Sequence, residues 1–240
     1  MKKWWVLLVF VFTVLSCKDS ECSLTSGDYA EMEILVDEFI ALDVSDFINI
    51  ELIQTHEYGL LIKGGENIII NIHFEVRENT LFLRNDNKCR WLRDPAERID
   101  IQVFAPDINN INFPAYGDVL MKDWELSSLS VNTLRSLRDF EFSGTADSMF
   151  FFLEQGSPDL YLSGDAHYLY VYHSGTGKVV ANDLKAHSVH FNHMSTGDFL
   201  VYPKENLRVE IRSSGNTRAF HPANNVEIIQ EGGGAYLEEF

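Results

Sequence analysis

The 240-residue chain carries 36 Asp and Glu against 19 Lys and Arg, a formal net charge of −17, and 45% of it is apolar. That charge repels a phosphate backbone and excludes nucleic acid as a partner, while the apolar share can build a core and excludes a disordered chain. Three cysteines with no Cys-x-x-Cys pair exclude a disulfide scaffold, a zinc knuckle and a dithiol redox motif, so burial has to hold the fold together.

At the N-terminus, Lys2 and Lys3 precede an apolar run from Trp4 to Leu15, the charged and hydrophobic parts of an export signal. The run is 12 residues, short of the ~20 that a spanning helix needs, so cleavage is expected rather than a permanent transmembrane anchor. Val14-Leu15-Ser16-Cys17 resembles a bacterial lipobox, whose cysteine becomes the lipidated N-terminus. Residues 1–16 thus read as a lipoprotein signal peptide, Cys17 as the membrane anchor and residues 17–32 as a tether. Lys18-Asp19-Ser20-Glu21 resembles the surface-export tag of lipoproteins in Bacteroidota-type outer membranes. An ordinary secretory signal with a chance cysteine is the alternative. Loss of Lys2 and Lys3 leaves 17 basic against 36 acidic residues, a mature charge of −19. Cys22 and Cys89 remain, and sequence alone does not say whether they pair.

Residues 33–106 read as β-structure. FIALDV, FINIELIQ, GLLIKG, NIIINIHFEV, TLFLRN and RIDIQVFAP are the strand candidates, with a hairpin turn at Asn79-Thr80. This half lacks a clear cadence and reads as an irregular capping region.

From Ile108 onward the chain repeats. Turn-forming clusters end at Asp118, Asp139, Asp159, Lys178, Asp198, Asn216 and Ala235, in PAYGD, SLRD, QGSPD, SGTGK, MSTGD, SSGN and EGGGA. A spacing near twenty residues marks a repeat architecture, and the stretches between clusters alternate as half-buried strands do. Each copy is expected to be strand, turn, strand, turn, with Gly144 and Gly164 at the second turn. The predicted fold is all-β: a parallel β-helix, or β-solenoid, with ~20-residue coils over residues 107–240. A β-sandwich is the competing reading. Val119 and Met121, Phe140 and Phe142, Leu160 and Leu162, Val179 and Ala181, and Phe199 and Val201 are assigned inward on one side. Phe150 and Phe152, Leu169 and Val171, Val189 and Phe191, and Leu207 and Val209 are assigned inward on the other.

Asp118, Asp139, Asp159 and Asp198 share one turn position, with Gly177 beside it, and are read as structural turn residues. A carboxylate column also suits Ca²⁺, and a close pair suits a retaining glycosidase, but a residue repeated in every copy does not need to be catalytic. His173 is expected one coil below His193, where the two could share a metal, although His187, His190 and His193, three apart, could not all do so; the histidines are read as surface residues. GTGK at Gly175–Lys178 lacks a Walker glycine and a following helix, so it is not a phosphate loop. The alternation points Met149, Phe151, Leu153, Tyr161, Tyr168, Tyr170 and Tyr172 away from the core, as a candidate binding face for protein or sugar rings, unless the N-terminal half covers it.

These features together resemble the putative auto-transporter adhesin head GIN-domain family: an export signal, the Phe39-Ile40-Ala41-Leu42 opening, an irregular β half, then repeated turns. SGTGK and MSTGD come close to that family's Ser-Gly-Ala-Gly-Asp turn, PAYGD keeps its Gly-Asp, and SLRD and QGSPD depart from it. The resemblance spans Phe39 to Ala235 and implies a secreted or surface β-solenoid. The expectation is a non-enzymatic, lipid-anchored outer-membrane protein of adhesin type, facing the cell surface or the periplasm, without a metal or cofactor. A carbohydrate-active enzyme and a purely structural envelope protein are the alternatives.

Overall fold

The computed structural model describes residues 25–45, 47–90, 93, 98–113 and 116–240. The signal peptide, Cys17 and Cys22 lie outside the described residues. The described chain is a β-solenoid of about six turns, and its strands belong to one 16-stranded sheet folded around a single core.

The repeating half forms β9 (Val119–Ser136), β10 (Phe140–Gly156), β11 (Leu160–Gly175), β12 (Val179–Ser195) and β13 (Phe199–Ile211). Each pairs with the next in parallel, one coil on. The expected pair of short strands per coil is instead one continuous ribbon, because inter-coil hydrogen bonding carries through the corner at Gly144 and Gly164. Those glycines have φ of 144° and 109°, and a Cβ at Gly164 would stand 1.9 Å from the carbonyl oxygen of Gly144. Only glycine permits coils to approach so closely there.

Columns of like residues fill the interior. Val119, Phe140, Leu160, Val179 and Phe199 stand in one register, and Leu129, Met149, Leu169, Val189 and Leu207 in another, all essentially buried. Buried side chains stacked at ~4.8 Å give each coil's apolar face partners above and below, which no isolated coil could supply. The last coil is β14 (Thr217–Ala219), β15 (Asn225–Gln230) and β16 (Tyr236–Glu238), pairing back on β13 and β14.

The N-terminal half continues the same sheet and closes its far end. Its strands β1 (Tyr29–Leu35), β2 (Ala41–Ser45), β3 (Asn49–Gln54), β4 (Gly59–Gly65), β5 (Ile72–Arg77), β6 (Thr80–Asn85), β7 (Asp100–Ala105) and β8 (Asn110–Asn112) extend the same sheet. On one side β3 continues β9 in parallel and β7 continues β3; on the other β8 continues β9 and β2 continues β8. The stack closes with antiparallel pairs, β4 on β7, β1 on β4 and β5 on β6. Antiparallel closure ends the parallel coils without leaving the core open.

Three local readings change. Residues 29–32, expected in the tether, open β1. The strand expected over NIIINIHFEV begins instead with a short helix, α1 (Glu66–Ile69), before β5. The β5–β6 turn is Glu78-Asn79, both with positive φ, which matches the twist of a two-residue hairpin. Cys89 is disulfide-bonded, and its partner lies outside the described residues.

Candidate functional site

The aspartate column forms as expected, but it acts between coils rather than within a turn. Asp118 Oδ1 accepts the Asp139 amide at 3.3 Å, Asp139 Oδ1 the Asp159 amide at 3.0 Å and Asp159 Oδ1 the Lys178 amide at 2.9 Å. Asp198 then accepts from Asn216, and Asn216 from Ala235. Gly177 is buried against the Pro158 carbonyl, where a Cβ would not fit. Burial, reinforced by the Asp159 and Asp118 charges, raises the Asp139 carboxyl above the ordinary range. Lys178 relieves the column, with Nζ 3.6 Å from Asp159. Among the described residues no group of three His, Cys, Asp or Glu side chains is placed to hold a metal ion.

The histidines divide differently from expectation. His173 and His193 do stand in register, but they are fully buried core residues, not surface ones. His193 Nδ1 meets the Thr217 hydroxyl at 3.1 Å, its Nε2 meets the Gly197 carbonyl at 2.9 Å, and its ring stacks on Phe199. Burial, the largest influence, pushes its pKa down to about 4. His187 and His190 face outward, where His187 stacks on His167 and His190 reaches Glu210 at 3.2 Å.

The candidate binding face needs two corrections. Met149, Phe151 and Leu153 are buried at 0–1% exposure, because Phe151 pairs with inward Val171 and Met149 with inward Leu169. Phe150 and Phe152, assigned inward from the sequence, take the outward positions. Five consecutive apolar residues hide the parity of that strand, and only its register against β11 reveals it. Tyr161 also leaves the face, since it lies on the other side of the coil, donating to Asp159 and lying beneath Lys178.

What remains is a half-buried aromatic stripe: Phe150 and Phe152 on β10, Tyr168, Tyr170 and Tyr172 on β11, and His190 on β12. Phe150 meets Tyr168 at 5.7 Å between ring centroids, Phe152 meets Tyr170 at 5.5 Å and Tyr170 meets His190 edge-on at 5.1 Å. Burial holds the Tyr168 phenol above its usual pKa, so it stays a neutral hydroxyl. The described strands of the N-terminal half extend this side edge to edge, through β8 and β2.

Next along the solenoid, a shallow groove of about 340 Å³ runs between Tyr168, Ser188, His190, Asn206, Arg208 and Asn225, with the exposed side chain of Val226 and the Glu227 carboxylate also in its lining. Burial opposes ionisation of Glu210 beneath it, but hydrogen bonds from Arg208 and His190 and the Arg212 charge hold its carboxyl below the ordinary range. Arg208 is bound again by Glu227 at 2.7 Å. The arrangement offers flat rings and neutral hydroxyl and amide groups, with its cations already neutralised.

The fold matches that of solved structures. One described as a putative adhesin from Bacteroides fragilis is 22% identical with a TM-score of 0.80, covering 90% of this chain and 100% of that one. A second putative adhesin, from Parabacteroides merdae, is 16% identical at 0.62, covering 89% and 97%. A structure described as a putative lipid binding protein from Parabacteroides distasonis is 15% identical at 0.59, covering 89% and 98%. No curated protein matches the sequence. The family description "Putative auto-transporter adhesin, head GIN domain" matches residues 38–221, more than half of the chain, and the chain belongs to that family.

Proposed function

We propose that the protein is a non-enzymatic, adhesin-like surface lipoprotein, anchored through Cys17 and engaging an extracellular protein or glycan through the stripe of Phe150, Phe152, Tyr168, Tyr170, Tyr172 and His190. The observation that carries the reading is the stripe itself. An acidic chain that lays contiguous aromatic rings on an outward strand face is presenting an interaction surface. Family membership supports a location at the cell surface, and the lipobox supports the anchor. The engagement of each column carboxylate by a neighbouring amide supports a structural role for the aspartates and disfavours the glycosidase alternative. Nothing in this reading calls for a metal or cofactor.

The test uses cells displaying the full chain. Cys17→Ala should move the protein from the detergent-rich to the aqueous phase and abolish labelling by a fatty-acid analogue. Phe152→Ser with Tyr170→Ser should reduce cell retention on glycoprotein-coated surfaces while surface abundance stays constant. Unchanged retention at equal abundance would remove the stripe from the function.

A further inference from the structure

The aromatic stripe borders a second column that carries more specific chemistry. Ser128, Ser148, Tyr168, Ser188, Asn206 and Asn225 stand in one register, one per coil from β9 to β15. All six are uncharged donors and acceptors, on a chain with a net charge of −17. The column is also wired. Asn225 Nδ2 donates to Asn206 Oδ1 at 2.9 Å and Asn206 Nδ2 donates to Ser188 Oγ at 2.9 Å, which leaves the Ser188 hydroxyl proton and the remaining amide groups to face the groove. A chain of hydrogen bonds running one way polarises its members.

Beside this rail the neighbouring column supplies Phe150, Tyr170 and His190, and then Arg208 and Glu227. The basic side chains at this end are occupied: Arg208 by Glu210 and Glu227, and Arg212 by Glu210 and Glu231. An anionic ligand finds no uncommitted cation here, and an apolar one would strand the amides. A neutral molecule rich in hydroxyls, with ring faces to lay on tyrosine, fits both columns. The rise between coils, ~4.8 Å, is close to the advance of one pyranose along an extended β-1,4-linked chain, whose alternate sugars are turned over, so a ring would fall on each coil and every second sugar would meet an equivalent position.

We propose, building on the adhesin-like reading above, that the rail and its aromatic border form a binding site for a linear neutral glycan lying along the solenoid axis. Tyr168 is its central platform, and Ser188, Asn206 and Asn225 supply the hydrogen bonds that fix register. Specificity follows from charge: uronic or sialic residues would meet the Glu227 carboxylate in the groove lining, with Arg208 already bound to Glu210 and Glu227.

The experiment titrates the full-length protein in detergent micelles with neutral β-1,4-linked hexasaccharides (cello- and mannohexaose), the matching disaccharides and hexagalacturonate. A neutral hexasaccharide should bind at least about ten-fold more tightly than its disaccharide and than hexagalacturonate, a factor worth ~1.4 kcal/mol. Tyr168→Ala and Asn225→Ala should each weaken binding about ten-fold or more at unchanged melting temperature, while Tyr168→Phe retains most of it and Tyr161→Ala, on the other side of the coil, changes nothing. Absence of binding by either neutral hexasaccharide, equal affinity for dimer and hexamer, preference for the uronate, or full affinity in Tyr168→Ala would each overturn the proposal. If no sugar binds but the Phe152 and Tyr170 variant still loses retention, the glycan inference fails and the adhesive face stands. If both tests fail, the face is not a recognition surface.

Discussion

His193 is a titratable group sealed in an apolar column, and its chemistry shows what burial does to a side chain. Unfolded it titrates near 6.5; folded, burial brings it to about 4, with His173 adding like charge in the same direction. Between those values the unfolded chain binds more protons, so the stability His193 contributes is complete above pH ~6.5 and is lost as the pH falls toward 4, on the order of 3 kcal/mol. His173, also lowered by burial, adds to the loss. Asp139, raised by burial, offsets part of it at the acid end. Urea midpoints taken from pH 7.5 to 4.5 should fall through this window, and His193→Leu should flatten the slope while lowering stability at pH 7.5, because the Thr217 hydroxyl loses its partner. A slope unchanged in the variant would place the titration elsewhere. The aspartate column invites a second test. Asn216 already does an aspartate's work at its own turn, accepting the Ala235 amide through Oδ1 at 3.0 Å. Asp139→Asn should therefore keep the bond to Asp159, remove like-charge repulsion and leave the melting temperature equal or higher. Asp139→Ala strips the acceptor and should cost about 1–3 kcal/mol.

At the scale of the element, the repeat was legible because turns need small or capping residues and strands need alternation, and both recur with the coil. The Asp118-to-Ala235 cadence marks the coils as the structure has them. Parity was the weak link. In most strands a polar neighbour identifies the inward residue, but Met149–Leu153 is apolar throughout, so the sequence offers two registers of equal hydrophobicity. The buried histidines were hidden for the converse reason, since polar side chains read as surface until a Thr217 hydroxyl and a Gly197 carbonyl are found to satisfy one of them. NIII resembles a strand by composition, yet its backbone turns helical after Gly64-Gly65, a tertiary override of local propensity. The parity assignment predicts opposite outcomes for neighbouring residues of the same type. Phe151→Ala should cost about 3–5 kcal/mol as a core truncation, whereas Phe152→Ala should cost no more than about 1 kcal/mol. Chemical unfolding of the two variants side by side decides it, and equal costs would mean the stripe is packed more tightly than its exposure suggests. The candidate site was legible in its tyrosines alone; the neutral rail emerges only when six residues from six coils are brought into one column.

On the scale of the whole molecule, a solenoid holds itself together through neighbours, so its stability is a sum of coil and interface contributions rather than a single event. The two ends differ. At one, the stack closes in antiparallel pairs: β5 and β6 form a local hairpin, while β1 on β4 and β4 on β7 join strands distant in sequence. At the other, β15 and β16 pair on one side only among the described strands, with β13 and β14. Three ion pairs tie that last coil down: Arg208 to Glu227, Arg212 to Glu231 and Arg218 to Glu239. Exposed pairs of this kind contribute little each and are screened by salt. Amide hydrogen exchange should therefore be slowest in β10, β11 and β12, whose amides and carbonyls have partners on both sides, and faster by at least about ten-fold in β15 and β16. Raising the salt to molar concentration should speed exchange in β15 and β16 while leaving β11 unchanged. Asn225, the outermost member of the neutral rail, lies in that loosest strand, so an oligosaccharide spanning the rail would slow exchange there more than anywhere else. Uniform protection from β9 to β15 in the free protein would show instead that the coils open as one cooperative unit, and the nearest-neighbour account of its stability would have to be abandoned.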